Sequence, residues 1–336
     1  MDDSDSSVNP DNLTMFQPAD PLGRLIERIK LIGVGRAGIA AVRYLLTDPR
    51  LDGLDFLCVG LDSDLPEGID PSKALQLETA RPEGHDSVRQ QTRGETAALE
   101  ARQTIAESFT DTYITIVITD LECAVSLGAS AVFASTAKDL NVLSLAIGVS
   151  QADPKNAGED KEAAAGSVAI VNAADSTFLF QNTESLQFRD EKIDWNREFP
   201  PLFETVRDTV VCVAELLVCP MVDLMDMRAM LSGKGLARIG MGLAEGEHRI
   251  FTAARQAVDD SYLESSDLKQ ARRIIAHISG GPNLSFREIS TLAEYLNERI
   301  DTDVSDIVFG TAIEESLGDS LRVTIITADL DNRTIH

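Results

Sequence analysis

The sequence predicts an α/β fold in which a parallel, doubly wound sheet of Rossmann type is followed by an α+β unit. Between residues 28 and 198, short apolar strands alternate with helices, which is the pattern of a parallel sheet covered by helices on both faces. A glycine-rich turn joins the first of these strands to the first helix. A long apolar helix then separates this part from residues 221–330, where strands and helices follow a mixed order.

Composition narrows the classes of function. The 336 residues are 43% apolar and 25% charged, which is typical of a folded protein with enough apolar side chains for two cores. The net charge of −25 would repel nucleic acid and an anionic bilayer, so we expect neither as a direct partner. The N-terminus lacks a signal-peptide layout, and Glu215 and Pro220 interrupt the longest apolar run. We therefore expect a cytoplasmic protein, and the scattered histidines and cysteines predict no metal site.

The first half of the chain predicts a tail and a Rossmann-like unit. Residues 1–27 are acidic and predict a flexible tail, and residues 28–198 predict the unit itself. Gln151–Gly166 is polar and predicts a loop. Apolar and β-branched runs predict strands at Ile29–Gly33, Leu54–Gly60, Ile114–Ile118, Leu143–Gly148 and Ser167–Val171, and helical patterns cover Ile39–Leu46, Glu95–Ser108 and Ala131–Leu140.

The second half begins with a helix that is apolar on most faces, Leu202–Val218, within a predicted central segment of residues 199–220. Because it is apolar all round, we expect it to be buried between two units. Ser285 and Glu288 match a capping box at the start of a later helix. Residues 221–330 predict helices at Asp223–Leu231, Glu247–Asp259 and Ser285–Arg299, and strands at Arg273–Ser279, Ile307–Ala312 and Leu321–Thr327.

The glycine turn has the spacing G-x-G-x-x-G, formed by Gly33, Gly35 and Gly38. Glycines between a strand and a helix let the backbone approach a phosphate, and the helix N-terminus supplies N–H donors. Asp62, after the second strand, is a candidate for a ribose hydroxyl. The motif does not distinguish a dinucleotide from a nucleoside triphosphate. A tight turn without any ligand remains the alternative.

Four ordered blocks in the second half resemble the FtsZ family. They are a D-L-M-D start of a helix at 223–226, G-L-A-E-G-E-H-R at 242–249, I-S-G-G-P-N-L at 278–284, and two strands around E-E-S-L-G-D at 307–328. The segment I-K-L-I-G-V-G-R-A-G at 29–38 is similar to the family's first phosphate loop. The chain is identified as a divergent, FtsZ-like member of the tubulin superfamily. The resemblance covers most of residues 28–328 and implies the FtsZ/tubulin fold.

The resemblance also locates the nucleotide site. It places the family's glycine-rich signature loop on residues 122–128, where only Gly128 survives and where Asp120 and Glu122 add negative charge. It puts Arg36 in the first phosphate loop, in place of a glycine. The acidic residue expected at the guanine falls on Glu204, or on Asp208 in a shifted register. GTP or GDP, with Mg²⁺ as companion ion, is therefore expected to bind weakly.

The D-L-M-D block implies the catalytic acids of the family. Asp223 and Asp226 match the two carboxylates that one FtsZ subunit presents to the nucleotide of the next. The alternative is that both are helix N-terminal acids stabilised by the helix dipole. Two aspartates without a nucleotide opposite them catalyse nothing, so the enzyme assignment leans towards no.

Three functions follow from these features. The first is a cytoskeletal, division-associated FtsZ-like protein with a degenerate GTP site, whose partners are copies of itself or an FtsZ. The second is a polymerising GTPase with weak turnover, in which Arg36 or Lys138 offsets the new acids. The third is a dinucleotide-binding protein. Because the chain stops at His336, soon after the last strand, we expect no direct membrane contact.

Overall fold

The computed structural model describes residues 25–61, 65, 68–79, 87–150, 161–181, 202–233, 235–260, 262–263, 268–269, 271–300 and 306–330. Its strands are β1 Ile29–Val34, β2 Asp55–Leu61, β3 Ala74–Leu77, β4 Ile114–Asp120, β5 Leu143–Ser150, β6 Ser176–Gln181, β7 Leu236–Glu245, β8 Arg273–Gly280, β9 Asp306–Ile313 and β10 Ser320–Leu330. Its helices are α1 Gly35–Leu45, α2 Ser87–Glu100, α3 Arg102–Ser108, α4 Ala124–Asp139, α5 Lys161–Ala173, α6 Leu202–Val218, α7 Leu224–Leu231, α8 Arg249–Val258 and α9 Phe286–Asn297.

The strands form one sheet in the order β3-β2-β1-β4-β5-β6-β7-β10-β8-β9. The first six are parallel, and β1 and β5 are buried along their whole length because helices cover the sheet. β7, β10 and β8 are antiparallel, and β9 adds in parallel to β8. The predicted fold class, a Rossmann-type parallel sheet followed by an α+β unit, is confirmed.

The apolar core crosses from the first half of the chain to the second through α6. One cluster of buried side chains contains Ile147 of β5, Val206 and Val210 of α6, and Ile275 and Ile326 of the second half. α6 runs over Leu202–Val218, as the sequence predicts, and is buried on most faces. The domain limits at residues 28, 199 and 221 stay predictions.

Three predictions about elements are wrong. Gln151–Gly166 is predicted as a loop, but α5 begins at Lys161 within this segment, and residues 151–160 lie outside the described residues. Ser167–Val171 is predicted as a strand, but it is the last part of α5, and the strand in this region is β6. Ile170 and Val171 of this run lie on the buried face of a helix that packs beside α4, whereas Val168 is exposed. Glu95–Ser108 is predicted as one helix, but the chain leaves helical geometry at Ala101, between α2 and α3.

Two further findings concern the termini of elements and the membrane. The capping box of α9 is confirmed, since Ser285 and Glu288 each accept from the other's backbone N–H. In the described part of the chain, no helix combines the length and the apolar character needed to cross a membrane. The predicted tail, apart from its last three residues, and Asp62 lie outside the described residues.

Candidate functional site

The glycine turn lies between β1 and α1. A Cβ at Gly33 would lie 2.5 Å from the carbonyl oxygen of Gly38, and a Cβ at Gly38 would lie 2.3 Å from that of Ile118. These two glycines are therefore required by the packing of α1 on β1 and β4, whatever the turn binds. Gly35 differs, since its φ of +70° favours glycine and its Cα faces Ser126 of α4.

The second loop is Leu121–Cys123, between β4 and α4. Its backbone is held by Asp120, whose Oδ1 accepts from the N–H of Glu122 at 2.8 Å. The carboxylate of Glu122 in turn accepts from the hydroxyl of Ser150 at 2.9 Å, at the end of β5. Two carboxyl groups therefore stand at the carboxyl end of β4, beside the glycine turn, and that of Glu122 reaches the end of the adjacent parallel strand β5.

The two carboxyl groups and Arg36 affect one another electrostatically. The pKa of Asp120 is raised to about 6, chiefly by burial and also by the negative charge of Glu122. The hydrogen bond from the Glu122 N–H and the positive charge of Arg36 act in the opposite direction. Asp120 is thus half-protonated near pH 6, and the loop has a net negative field at neutral pH.

The N-termini of α1 and α4 meet at this point. A Cβ at Gly35 would lie 2.4 Å from Ser126 Oγ, so the serine side chain fills the space directly beside the turn. α4 begins at Ala124, and no side chain caps its first turn. Gly128 lies inside α4 instead of in the loop, and its Cα faces the carbonyl of Gln91 on α2. A glycine is required at this position because the two helices approach each other closely there.

The other predicted nucleotide contacts are dispersed. Glu204 is exposed in the first turn of α6. Asp208, one turn later, belongs to a cluster of ion pairs in which Arg207 lies 3.0 Å away and Arg50 3.8 Å away. Lys138 lies at the opposite end of α4 and pairs with Asp175 at 3.7 Å. The structure therefore does not bring Lys138 to the loop that it was expected to neutralise.

The predicted acidic pair forms a helix cap. The backbone N–H of Asp226 donates to Asp223 Oδ1 at 2.7 Å, and that of Asp223 donates to Asp226 Oδ2 at 3.0 Å. Met221, two residues before Asp223, and Met225, between the two aspartates in the sequence, are 60% and 71% exposed. α7 packs on α6 and on β8, β9 and β10, so the pair belongs to the second half of the chain. Among the described residues, no cluster of three or more His, Cys, Asp or Glu side chains is arranged to hold a metal ion.

Comparisons with known proteins match this architecture. A family model described as the FtsZ family C-terminal domain matches residues 235–331. The cell division protein FtsZ of Coxiella burnetii is 28% identical over 306 residues, which are 90% of this chain and 79% of that protein. FtsZ of Pseudomonas putida is also 28% identical, over 91% of this chain and 77% of its own. These matches support the assignment of the chain as an FtsZ-like member of the tubulin superfamily.

Solved structures of the superfamily share the fold. An empty FtsZ dimer from M. jannaschii superposes with a TM-score of 0.71 at 21% identity, covering 89% of this chain and 87% of that one. The GDP-bound monomer of CetZ1 from Haloferax volcanii gives a TM-score of 0.71 at 17% identity, covering 92% and 96%. At these identities the likeness concerns the fold alone.

Sequence reasoning missed two residues beside the loops that follow β1 and β4. Ser126 contacts the glycine turn, and Ser150 holds Glu122. A signal for Ser150 was present, because it ends a buried strand next to β4, and the carboxyl ends of parallel strands share one edge of the sheet. Ser126 had no separate signal, since its role depends on where α4 begins.

Proposed function

We propose that this chain is a cytoskeletal, FtsZ-like protein with a degenerate GTP site, which acts by associating with copies of itself or with an FtsZ. The observation that carries the proposal is the pair of carboxyl groups, Asp120 and Glu122, on the loop between β4 and α4. In FtsZ, by resemblance, this loop is rich in glycine and approaches the phosphates. Here it presents carboxylate oxygens, which accept hydrogen bonds and donate none when ionised.

Electrostatics weigh against a polyphosphate at this loop. A like-charge pair about 4 Å apart costs roughly 1 kcal/mol in water and about 4 kcal/mol near a protein surface. Glu122 is tied to Ser150, so turning away would cost a hydrogen bond. Ser126 occupies the space beside Gly35, where a glycine-rich loop would leave room. Among the described residues, no group of three or more His, Cys, Asp or Glu side chains could hold a metal ion without the phosphates of the nucleotide itself.

Association between chains has independent support. The acid pair caps α7, and two methionines close to these residues in the sequence, Met221 and Met225, are exposed. Methionine side chains are flexible and adapt to many partner surfaces. FtsZ subunits meet at the equivalent block, by resemblance, so this face is the natural place for contact with a neighbouring subunit that does not require hydrolysis.

Titration calorimetry of the full chain with GTP and Mg²⁺ tests the nucleotide part. We expect no binding heat up to several hundred micromolar, and measurable binding after Asp120→Asn with Glu122→Gln, because both amides keep the local hydrogen bonds. The variant Asp259→Asn with Glu298→Gln removes two exposed acids from the second half and should behave like the wild type. Low-micromolar binding by the wild type would overturn the proposal. Sedimentation with and without GTP tests association, which we expect to be the same in both.

A second candidate is a GTPase with weak turnover. The observation in its favour is Arg36, whose charge acts on the Asp120 carboxyl and therefore stands near the loop. A guanidinium in this position pairs with phosphate oxygens. This candidate requires GTP turnover that is lost in Asp223→Ala, whereas the first requires that no turnover is detected in either protein.

A further inference from the structure

A groove on the second half of the chain has no role in the function proposed above. It has a volume of about 770 Å³ and runs between α8 and α9. That volume falls within the range of about 300 to 1,000 Å³ that is usual for binding pockets. Phe251, Arg255, Arg287 and Thr291 are among the side chains that line it.

The groove combines aromatic surface with positive charge. Phe251 is 50% exposed and packs edge-on against Tyr295, with ring centroids 5.3 Å apart. Phe286, which lies at the start of α9 between the lining residues Ser285 and Arg287, is 81% exposed. Three arginines and two glutamates line the groove, in a protein whose net charge is −25. The groove is therefore a basic, aromatic surface on an acidic molecule.

Two of the three arginines are available to a ligand. Arg249 is committed to the fold, since it binds Glu288 through two nitrogens and also donates to Asn283 and to the carbonyl of Asp319. Within the described part of the chain, neither Arg255 nor Arg287 has a salt-bridge partner. Exposed guanidinium groups next to exposed aromatic rings suit a peptide that carries both acidic and apolar side chains.

The chain itself contains such a peptide. Residues 1–20 hold four aspartates within the first eleven positions, followed by Leu13, Met15 and Phe16. We propose that this N-terminal segment docks into the α8–α9 groove of its own chain, with Phe16 against Phe251 and with the aspartates on Arg255 and Arg287.

The exit point of the segment favours docking within one chain. Ile26 lies beside Arg50 in a cleft against α6. Arg50 reaches the second half of the chain at Glu314, 3.6 Å away, and Asp319 accepts from Arg249 in the wall of the groove. Only the nine residue steps from Phe16 to Leu25 must bridge the distance from this exit point to the groove, and they span roughly 30 Å when extended.

Photo-crosslinking in the full-length protein tests this docking. A photoreactive phenylalanine analogue replaces Phe16, and mass spectrometry maps the cross-links. We expect links to residues 247–255 and 286–291. The variant Arg255→Glu with Arg287→Glu should reduce their yield about fivefold or more, because it reverses the charge of the groove. Lys269→Glu with Arg272→Glu makes the same change of charge outside the groove and should leave the yield unchanged.

Three outcomes would overturn the proposal: cross-links elsewhere, a yield insensitive to the groove reversal, or links mainly between isotopically light and heavy copies in a mixed sample. If the groove variant has a lower melting temperature than the wild type, the charge reversal is made in the tail instead, as Asp2→Lys, Asp3→Lys and Asp5→Lys. These substitutions change none of the described residues. The same loss of yield is then expected. None of these measurements depends on nucleotide, so a failure of the docking proposal can be distinguished from a failure of the proposed function.

Discussion

The carboxyl group of Asp120 ends β4 and faces its neighbours Glu122 and Arg36. Its pKa of about 6 lies above the ordinary value of 3.8, chiefly because the group is buried. A carboxyl whose pKa is raised on folding stabilises the folded state while it is protonated. That contribution is complete below about pH 4 and is lost as the pH rises through about 6.

The variant Asp120→Asn therefore gives a pH-dependent gain in stability. We expect its free energy of unfolding to match that of the wild type at pH 4 and to exceed it by about 1 to 2 kcal/mol at pH 7. Urea unfolding at several pH values measures the difference. Glu122→Gln should lower the pKa of Asp120 because it removes a like charge, and Arg36→Gln should raise it. A difference that does not change between pH 4 and pH 7 would contradict this account.

At the scale of single residues, the sequence predicted the glycine turn well and the acidic residues less well. The strand–turn–helix context of Gly33, Gly35 and Gly38 was visible in the order of the residues. The capping box formed by Asp223 and Asp226 was open to two interpretations, because the same spacing caps a helix and presents two carboxylates. Only the hydrogen bonds distinguish the structural role from free carboxylates.

At the scale of elements, α2 and α4 cross with their backbones in close contact. Gly94 on α2 faces the carbonyl of Val125, and Gly128 on α4 faces that of Gln91. A Cβ would lie 1.9 and 2.0 Å from these oxygens, which is too close for any side chain. The reciprocal pair of glycines therefore fixes how near the two helices approach, and so how α4 is presented to the loop.

Gly128→Ala tests this crossing, because its effect on the free energy of unfolding has opposite signs with and without the close contact. In an open helix the change would stabilise by about 1 kcal/mol, because alanine is the better helix former. Here we expect a loss of about 1 to 3 kcal/mol in the free energy of unfolding, because the helices must separate. Thr96→Ala, on the exposed side of α2, should change stability by less than about 0.5 kcal/mol. Denaturant unfolding of both variants measures this, and a stabilised Gly128→Ala protein would refute the interpretation.

In one region, the sequence predicted that a secondary-structure element was present but not whether it was a helix or a strand. The sequence patterns identified the positions of α6, α8 and α9 to within a few residues. Ser167–Val171 was assigned the wrong type because a short β-branched run fits a buried helix as well as a buried strand. Packing against α4 decides between them, and that contact is not encoded in the local pattern.

At the scale of the whole molecule, a chain of polar contacts connects the two halves around α6. Arg50 lies 3.6 Å from Glu314, which pairs with Arg322 at 2.7 Å. Arg322 also reaches Glu215 on α6 at 3.4 Å, and Ser279 donates to the same carboxylate at 2.8 Å. The strands that join the halves, β6 and β7, pair through only two positions. Side chains around α6 therefore carry much of the connection between the halves.

This connection could not be predicted from the sequence. Glu215 and Arg322 are 107 residues apart, and each stands in an unremarkable helix or strand pattern. The second half was identifiable because its turns carry glycines and caps at fixed spacing. A contact between distant charged residues leaves no such local pattern, so it emerges only when the sheet is assembled.

Glu215 makes the connection sensitive to pH. Burial raises its pKa, and Arg322 and the hydrogen bond from Ser279 oppose that shift. Burial lowers the pKa of His277, which lies beside Glu215, to about 3, so the imidazole stays neutral from pH 5 to pH 8. Because the unfolded imidazole takes up a proton below about pH 6.5 and the folded one does not, His277 also lowers stability as the pH falls, and Asp120 titrates in the same range. The contribution of Glu215 is therefore measured as a difference between variants that keep both of these groups.

Arg322→Gln should consequently destabilise the protein by about 2 to 4 kcal/mol at pH 7, because it leaves a buried carboxylate with less compensation. Without Arg322 the pKa of Glu215 rises further, so the deficit should shrink as the pH falls towards 5 and the carboxyl takes up a proton. Adding Glu215→Gln to Arg322→Gln should recover part of the loss at pH 7, since the double variant buries no charge at these two positions. Arg299→Gln, which removes an exposed pair with Glu298, is the matched control and should cost less than about 0.5 kcal/mol. A double-mutant cycle in urea at pH 5 and pH 7 measures these differences, and effects that simply add would mean that Arg322 stabilises the fold without acting on Glu215.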